Sequence, residues 1–222
     1  MNGKCIIVSA GSFIPMDINY NEGDFLIACD GGYAHLSKMG ILPDLIIGDF
    51  DSLSQMPGQY MEELREIARN APERVMKLSV MKDDTDTLKA VRVGLEKGYD
   101  KFYLYGALGG SRLDHTFANV QTLLFIKHHG AKGYIMDASS MLLVAENETI
   151  RFNPGMTGML SVFCLGEKAK GVSIKGTLFE MDNGVIDNDF PIGVSNEFII
   201  DEKASVTVEE GTLLICVQWD DV

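Results

Sequence analysis

Acidic side chains are concentrated at two places where an apolar stretch of the sequence ends. Leu45-Ile46-Ile47 leads into Gly48-Asp49-Phe50-Asp51-Ser52, and a second apolar-rich run leads into Lys82-Asp83-Asp84-Thr85-Asp86. Carboxylates crowded at strand ends repel one another and lose hydration, unless a cation lies among them. A hard divalent cation such as Mg²⁺ prefers oxygen ligands and commonly binds together with a phosphate. The two segments together predict a metal site, although the first alone is equally compatible with a solvated turn.

Two glycine-containing segments have the composition of anion-binding loops. Gly106-Ala107-Leu108-Gly109-Gly110 precedes Ser111-Arg112 and a predicted helix, so that a glycine loop, a helix N-terminus and a guanidinium come together. Each of these favours an anion. The segment lacks both the Gly-Lys-Ser/Thr ending of a Walker A loop and the spacing of a dinucleotide fingerprint. Asp30-Gly31-Gly32 is either a simple turn or a second place where backbone amides approach a phosphate.

The residues that could do chemistry follow strands in a chain where predicted strands and helices alternate. This alternation continues to about residue 137 and is typical of a mostly parallel α/β sheet. Ligands of such sheets bind beyond the carboxyl ends of the strands, where several of these segments should converge. The predicted strands are Cys5–Val8, Phe25–Cys29, Leu45–Ile47, Val75–Val80, Lys101–Tyr105 and Lys132–Met136.

Apolar residues at helical spacing predict the helices between these strands. Thr85 or Asp84 is the predicted N-cap of the third helix. The predicted helices are Tyr33–Met39, Gln59–Asn70, Thr87–Lys97 and a long helix in which Leu113, Phe117, Val120 and Leu124 recur at spacings of four, three and four.

The sequence pattern changes after about residue 138. Short β-rich runs replace the helical periods, and Gly, Asn and Asp separate them, as at Asp182-Asn183-Gly184. Evenly spaced short strands predict a small sandwich or barrel. We therefore predict an α/β domain over residues 1–138 and a smaller all-β, sandwich-like domain over residues 139–222. The β-rich runs are Met141–Ala145, Met159–Cys164, Val172–Ile174, Glu197–Ile200, Ala204–Val208 and Leu213–Trp219.

The composition is that of a globular protein with an acidic surface. The 222 residues carry a net charge of -13, which argues against nucleic acid or an anionic membrane as a partner. Three of the four cysteines lie in apolar runs, so we predict buried, reduced thiols and a cytoplasmic location. The apolar run at the N-terminus is too short for a signal peptide or a membrane span. His35, His128 and His129 belong to no catalytic arrangement and are interpreted as surface residues.

Taken in order, these segments resemble the thiamine pyrophosphokinase (thiamine diphosphokinase) family. The segments are specific as an ordered set, and they cover the α/β half of the chain. The β half matches mainly in its pattern of short β-rich runs and at Ser195-Asn196. The matching segments are Ala28-Cys29-Asp30-Gly31-Gly32, Pro43-Asp44, Gly48-Asp49-Phe50-Asp51-Ser52, Lys82-Asp83-Asp84-Thr85-Asp86, and Gly106 to His115 with Asn119.

The resemblance implies an enzyme with an α/β catalytic, nucleotide-binding domain and a β-sandwich for thiamine binding and dimerisation, working as a homodimer. The implied reaction moves a pyrophosphoryl group from ATP to the hydroxyethyl oxygen of thiamine and releases AMP. The implied Mg²⁺ ligands are Asp49, Asp51 and Asp86, and the catalytic residues are these with Asp83 and Arg112. The implied ATP-binding residues are Asp30, Gly31, Gly32, Lys82, Gly109, Gly110, Arg112, Asp114, His115 and Asn119. The implied thiamine contacts are Asp86, Ser195 and Asn196.

Two positions depart from the family pattern or are least secure within it. Asp84 occupies a variable position of its motif. Some members carry a Trp in the last strand beside the thiamine site, where this chain has Ile215, and Trp219 lies four residues further on.

Two other functions remain open from the residues themselves. Asp-x-Asp segments also begin phosphohydrolase sites, in which Asp49 would be an aspartyl nucleophile. A non-catalytic Mg-nucleotide sensor would bind nucleotide without turnover, although the number of acidic positions exceeds what simple nucleotide binding needs.

Overall fold

The chain folds as two units of different architecture, residues 1–138 and 139–222. The computed structural model describes residues 3–16, 18–51, 56–79 and 83–219. Lys82, Ser52 and the end of the predicted strand Val75–Val80 lie outside these described residues. Within the described part of the chain, no helix combines the length and the apolar character needed to cross a membrane.

Among the described residues, six parallel strands form the sheet of the first unit. They are β1 (Cys5–Val8), β2 (Phe25–Cys29), β3 (Leu45–Gly48), β4 (Val75–Lys77), β5 (Lys101–Tyr105) and β6 (Lys132–Met136). Their spatial order is β6-β5-β1-β2-β3-β4, and every neighbouring pair is parallel. All residues of β1 and β3 are buried, as expected for strands covered on both faces. The predicted parallel α/β sheet is confirmed.

The described helices of this unit agree with the predicted ones to within one residue wherever a bound was predicted. Thr85 caps the third helix, since its Oγ1 accepts the N–H of Leu88 at 3.2 Å. The helices are α1 (Gly32–Lys38), α2 (Gln59–Asn70), α3 (Asp86–Glu96) and α4 (Leu113–His128).

The predicted long helix is confirmed as α4, but the residues whose spacing predicted it are not those that pack most deeply in the core. Leu113 and Phe117 are 69% and 66% exposed, whereas Leu123 and Ile126 are buried. Both sets have helical spacing, so the period alone does not choose between them. The absence of a side chain at Gly133 lets Leu123 and Ile126 approach β6, and this packing turns the opposite face of α4 inward.

Antiparallel strands form the second unit, in two sheets. The strands are β7 (Ser140–Glu146), β8 (Thr149–Arg151), β9 (Met159–Cys164), β10 (Lys168–Lys175), β11 (Met181–Asp187), β12 (Asn196–Glu197), β13 (Ser205–Thr207) and β14 (Thr212–Gln218). Within the unit, the orders are β12-β9-β14-β7 and β11-β10-β13-β8. Contacts of β10 with β14, and of β11 with β9, join the two sheets. The predicted smaller all-β domain is confirmed.

Two local predictions for the second unit are wrong. Asp182-Asn183-Gly184, predicted as a turn, lies inside β11, where register shifts against β10 accommodate the left-handed φ of 48° at Asn183. The predicted strand Glu197–Ile200 shares only its first residue with β12, and Ile199 and Ile200 are 43% and 66% exposed.

The buried side chain of Asn196 holds a loop of the second unit. Its Oδ1 accepts the N–H of Phe179 at 2.9 Å. Its Nδ2 donates to the Phe179 carbonyl at 2.6 Å and to Thr177 Oγ1 at 3.0 Å. Because Asn196 is only 6% exposed, its removal leaves partners that water reaches poorly.

We expect Asn196→Ala to lower the free energy of unfolding by about 1–3 kcal/mol, the cost of leaving buried polar groups unpaired. Chemical denaturation monitored by circular dichroism measures the change. The matched control Asn188→Ala removes an exposed amide and should stay within about 0.5 kcal/mol of the parent. Equal stability of the two variants would contradict the role assigned to Asn196.

Candidate active site

Polar segments after four strands of the first unit reach the same edge of its sheet. Ser9-Ala10-Gly11 follows β1, Asp30 follows β2, Asp49 follows β3, and the Gly106–Gly110 loop follows β5. These strands are parallel neighbours, so their carboxyl ends lie side by side. The start of α3 brings Asp86 to the same place.

Three of these groups are carboxylates in close proximity. One carboxylate oxygen from each of Asp30, Asp49 and Asp86 lies within 4.8 Å of the others, with Asp30 buried and the other two partly buried. Two ligands on opposite sides of a cation lie roughly 4 to 5 Å apart for Mg²⁺ or Ca²⁺, twice the metal–oxygen distance. The all-oxygen donor set is the type that these hard cations prefer. The arrangement therefore fits a divalent cation, and we call it the carboxylate cluster.

A close approach of two backbone segments places Asp30 in this cluster. Cys29 pairs with Ile47 at the ends of β2 and β3, and the N–H of Asp30 donates to the Ile47 carbonyl at 2.8 Å. A Cβ atom on Gly48 would lie 3.2 Å from Cα of Asp30, so glycine is what lets the strands end this close. Asp30 itself has a φ of 47°, an uncommon left-handed conformation for a residue other than glycine.

A second left-handed residue, Phe50, separates Asp49 from Asp51. Its φ is 68°, and its ring is anchored in the hydrophobic core at 8% exposure. Such strain persists where the surrounding structure fixes it, often at functional sites. The N–H of Asp51 donates to Oδ1 of Asp49 at 3.1 Å, while Asp51 is itself exposed. The structure thus groups Asp30, instead of Asp51, with Asp49 and Asp86, and the assignment of Asp51 as a ligand stays a prediction.

Asp86 is fixed as the first residue of α3. The Thr85 cap fixes the start of the helix, and the Asp86 carbonyl accepts the Cys29 thiol at 3.6 Å. A carboxylate in this position is stabilised by the positive end of the helix dipole. The helix cap and the thiol contact therefore set the position from which the Asp86 side chain reaches the cluster.

A cavity of about 330 Å³ adjoins the carboxylate cluster and shares Asp30 and Asp86 with it. Its volume is in the range of small-molecule sites. The other lining residues are Ser9, Ala10, Gly11, Cys29, Met56, Thr85, Thr87, Gly106, Ala107, Gly109, Gly110, Ser111, Arg112, His115 and Asn119.

The glycine loop of this cavity, Gly106–Gly110, has a fixed shape. Gly106, Gly109 and Gly110 have φ values of 58°, 63° and 83°, which residues with a side chain rarely adopt. The buried Asn119 side chain donates from Nδ2 to the Ala107 carbonyl at 2.7 Å. Asn119 thus lines the cavity and also holds the loop to α4.

Arg112 at the cavity is paired with a neighbouring acid. Its Nε and Nη2 donate to the two carboxylate oxygens of Asp114 at 3.0 and 2.6 Å. These hydrogen bonds lower the pKa of Asp114 to about 2. Both side chains are exposed, so the pair contributes little to stability. Arg112 and His115 line the cavity, whereas Asp114 is not part of the described lining, and the nucleotide contacts of all three stay predictions.

Asp83 and Asp84 lie apart from the carboxylate cluster. Both line a different, open cavity of about 460 Å³. The carboxylate of Asp84 forms an ion pair with Arg92 at 3.2 Å, so this side chain has a structural partner outside the cluster. The structure does not bring Asp83 together with Asp30, Asp49 and Asp86.

Gly32 serves a close contact between α1 and β1. A Cβ atom at this position would lie 2.0 Å from the Val8 carbonyl oxygen. Gly31 lies nearby, where a Cβ would meet the Ala10 side chain at 3.0 Å. Neither glycine is part of the described cavity lining, and at both positions a side chain would crowd neighbouring atoms. Their predicted contacts with nucleotide stay predictions.

The predicted thiamine contacts of the second unit differ in accessibility. Ser195 is exposed, has a φ of 60°, and donates its N–H to Ser161 Oγ at 3.0 Å. The Asn196 amide already holds the 177–179 loop. Ile215 is fully buried within β14, and the N–H of Trp219 donates to the Ser139 carbonyl at 3.1 Å.

Several residues of the site were missed by the sequence analysis. Ser9 Oγ and Thr87 Oγ1 form a buried hydrogen bond of 2.8 Å that ties the end of β1 to the start of α3. Ser9-Ala10-Gly11 follows a predicted strand, so the criterion used for the other segments would have found it. His35 is not a surface residue as interpreted, because it is half-buried against the Gly11 carbonyl.

The fold and the site define an α/β protein with an acidic, glycine-lined cavity, joined to a β-sandwich. Two family models match this chain. The model described as "Thiamin pyrophosphokinase, catalytic domain" matches residues 18–135, and "Thiamin pyrophosphokinase, vitamin B1 binding domain" matches residues 147–213. The chain belongs to the thiamin pyrophosphokinase family, and the resemblance drawn from the motifs is confirmed.

Individual relatives agree with this assignment over nearly the whole chain. Thiamine pyrophosphokinase of Bacillus subtilis (strain 168) is 27% identical, with 98% of this chain and 100% of the relative covered. A crystal structure of thiamine pyrophosphokinase from Bacillus subtilis has a TM-score of 0.84 at 25% identity, covering 98% and 100%. That of thiamin pyrophosphokinase from Geobacillus thermodenitrificans has a TM-score of 0.81 at 26% identity, covering 98% of each chain. The phosphohydrolase and sensor hypotheses are not favoured by these matches.

We expect Mg²⁺ to raise the melting temperature of the parent protein, because a cation in the carboxylate cluster relieves the repulsion among three charges. Asp30→Asn should weaken Mg²⁺ binding at least about tenfold and shrink the shift accordingly. Differential scanning fluorimetry at constant ionic strength measures both. Asp201→Asn, which removes an exposed carboxylate of the second unit, is the control and should keep the full shift. An unchanged Mg²⁺-dependent shift in Asp30→Asn would contradict the assignment of Asp30 as a cation ligand.

Proposed function

We propose that this chain is a thiamine diphosphokinase, an enzyme that transfers a pyrophosphoryl group from ATP to thiamine in the presence of Mg²⁺. The observation that carries the proposal is the carboxylate cluster at the edge of the cavity lined by the Gly106–Gly110 loop. Phosphoryl-type transfer depends chiefly on positioning and on neutralising phosphate charge. Acidic cation ligands beside a glycine loop provide for both, and family membership supplies the substrates.

The reaction is an in-line displacement at the β-phosphorus of ATP. The hydroxyethyl oxygen of thiamine forms the new bond to that phosphorus and loses its proton to a base. The bond from the β-phosphorus to the oxygen bridging to the α-phosphate breaks, and AMP leaves with that oxygen. The products are thiamine diphosphate and AMP, with a pyrophosphoryl group and not a single phosphoryl group transferred.

The acidic residues hold the cation that this reaction requires. Asp30, Asp49 and Asp86 are the proposed Mg²⁺ ligands of the described cluster, and Asp51, next to Phe50, is proposed as a further one. When bound, Mg²⁺ supplies positive charge against the phosphate oxygens. Asp86 is also proposed to contact thiamine, and Asp83 is proposed to act from the neighbouring loop.

The cavity is the proposed ATP site. The Gly109 and Gly110 backbone, with Arg112 and His115, lies where phosphates would approach the N-terminus of α4. Asn119 shapes the loop through the Ala107 carbonyl. Asp30 borders both ATP and cation, while Gly31, Gly32, Lys82 and Asp114 complete the proposed nucleotide-binding set.

The second unit is the proposed thiamine-binding and dimerisation domain. Ser195 and Asn196 are the proposed thiamine contacts, offered across a homodimer. Large apolar side chains surround this position at the surface, including Leu178 and Phe179 at 55% and 64% exposure. Exposed apolar surface of this kind marks interaction sites. The four cysteines form no disulfide within the described part of the chain, and Cys5, Cys29 and Cys164 are buried, which supports the proposed cytoplasmic location.

Incubation of the protein with thiamine, ATP and Mg²⁺, followed by chromatographic separation of the nucleotides, tests the proposed reaction. We expect thiamine diphosphate and AMP in equal amounts. Asp49→Asn should lower the rate by about 100-fold or more, because the charge opposing the phosphates is then poorly placed. Asp201→Asn is again the matched control and should retain full activity. Formation of ADP in place of AMP would contradict the transfer of a pyrophosphoryl group. Full activity of Asp49→Asn would contradict the assignment of Asp49 as a Mg²⁺ ligand.

The proposed homodimer predicts a mass of twice 24.4 kDa in solution. Phe179→Asp should shift the population towards monomer, because it places a charge in an apolar contact. Light scattering coupled to gel filtration measures the mass. Leu42→Asp, at another exposed apolar position in the first unit, should leave the dimer intact. A monomeric parent at micromolar concentration contradicts the dimer.

A further inference from the structure

Backbone hydrogen bonds join two loops at the cavity. The brace segment, residues 9–12, follows β1 and lies against the Gly106–Gly110 loop that follows β5. The N–H of Ser9 donates to the Tyr105 carbonyl at 2.8 Å, that of Gly11 to Gly106 at 2.8 Å, and that of Ser12 to Leu108 at 2.9 Å. Successive bonds along two neighbouring loops fix one relative to the other.

The two loops are in such close contact that side chains do not fit between them. A Cβ atom on Gly11 would lie 2.5 Å from the Gly106 carbonyl oxygen and 2.7 Å from that of Leu108. A Cβ atom on Gly106 would lie 2.3 Å from the Ser9 carbonyl oxygen. The position of the glycine loop therefore depends on the position of the brace segment.

The side chain of Ser12 adds a further hydrogen bond between the two loops. Its Oγ accepts the N–H of Gly110 at 2.9 Å, which connects residues 98 positions apart in the chain. Ser12 is exposed and is not among the described residues that line the cavity. Its hydroxyl is connected to the cavity lining through Gly110.

His35 on α1 contacts the brace segment at Gly11, next to Ser12. Its Nε2 lies 3.2 Å from the Gly11 carbonyl oxygen. Because a carbonyl only accepts, Nε2 carries the proton and donates it. The ring stacks on Phe13 with centroids 4.9 Å apart, which fixes its orientation. Burial lowers the pKa of His35 from its ordinary value, which favours the neutral ring.

We propose that Ser12 and His35 are positioning residues for the nucleotide phosphates, acting through the brace segment to fix the Gly106–Gly110 loop. The inference rests on the proposed function for the identity of the ligand. Neither Ser12 nor His35 is among the described residues that line the cavity. Together they keep the glycine loop in one conformation before ATP arrives, which lowers the ordering cost of binding.

Hydrogen–deuterium exchange of the ligand-free protein tests the brace without any nucleotide. Ser12→Ala should speed exchange of the peptide covering residues 106–112, because the N–H of Gly110 loses its acceptor. Ser12→Thr keeps the hydroxyl and should exchange like the parent. Ser173→Ala is the matched control, since it removes a serine Oγ that accepts a backbone N–H, that of Asn183 at 3.1 Å, in the second unit.

Calorimetric titration with Mg·ATP in the absence of thiamine tests the consequence for binding. Ser12→Ala should weaken binding about fivefold, the factor that one net hydrogen bond supplies, and Ser12→Thr should restore it. In turnover assays the same variant should raise the KM for ATP and leave the KM for thiamine unchanged. His35→Phe keeps a ring for stacking on Phe13 but lacks the donor, and should shift the ATP affinity in the same direction.

The outcomes separate this inference from the proposed function. Parent-like exchange or parent-like ATP affinity in Ser12→Ala overturns the positioning role, and so does faster exchange that Ser12→Thr fails to reverse. A parent protein that binds Mg·ATP, with the expected Ser12 effects, but forms no thiamine diphosphate overturns the proposed function alone. A fall in kcat at unchanged KM for ATP also counts against the positioning role.

Discussion

Electrostatic crowding at one edge of a parallel sheet is the constraint on which the rest of the first unit depends. Asp30, Asp49 and Asp86 come from three different segments, and their oxygens lie within 4.8 Å of one another. Charges at this separation oppose folding unless a cation lies among them. The scaffold holds them together through backbone features, a glycine at residue 48 and a left-handed residue at 30. In the absence of a cation, the repulsion among these carboxylates lowers the stability of the folded protein, but the same arrangement is ready to bind a cation.

Most of the fold could be predicted from the sequence because apolar runs and turn residues agree with the final architecture. The predictions that failed have a common physical origin. In each, the local sequence pattern allowed two structures, and packing or strand pairing decided between them. Two faces of α4 have helical spacing, and contact with Gly133 on β6 selected the one that carries Asn119, Leu123 and Ile126. The Asp182-Asn183-Gly184 segment has turn composition, yet pairing with β10 keeps it in a strand as an irregular region.

The site could be predicted less completely, because its geometry depends on which loops meet. Motif composition indicated Asp49 and Asp86, which the structure brings together in the carboxylate cluster. The carboxylate that joins them is decided by the adjacency of β2 and β3, which brings in Asp30. His35 was misjudged because a lone histidine gives no signal of its partner, a backbone carbonyl contributed by a loop twenty-four residues away. Backbone acceptors leave no trace in composition, so such contacts become visible only in three dimensions.

The two ends of the long connection between β1 and β2 differ in how tightly they are held. This difference has a consequence for how the chain can vary in length. Its first residues, 9–12, are tied to the glycine loop through backbone atoms, so a shift by one residue there would misalign every bond. Residues 19–23, by comparison, are all exposed. Insertions and deletions cost little in such loop tips. Length differences among related chains should therefore concentrate at this tip, while the segment next to β1 keeps a constant number of residues.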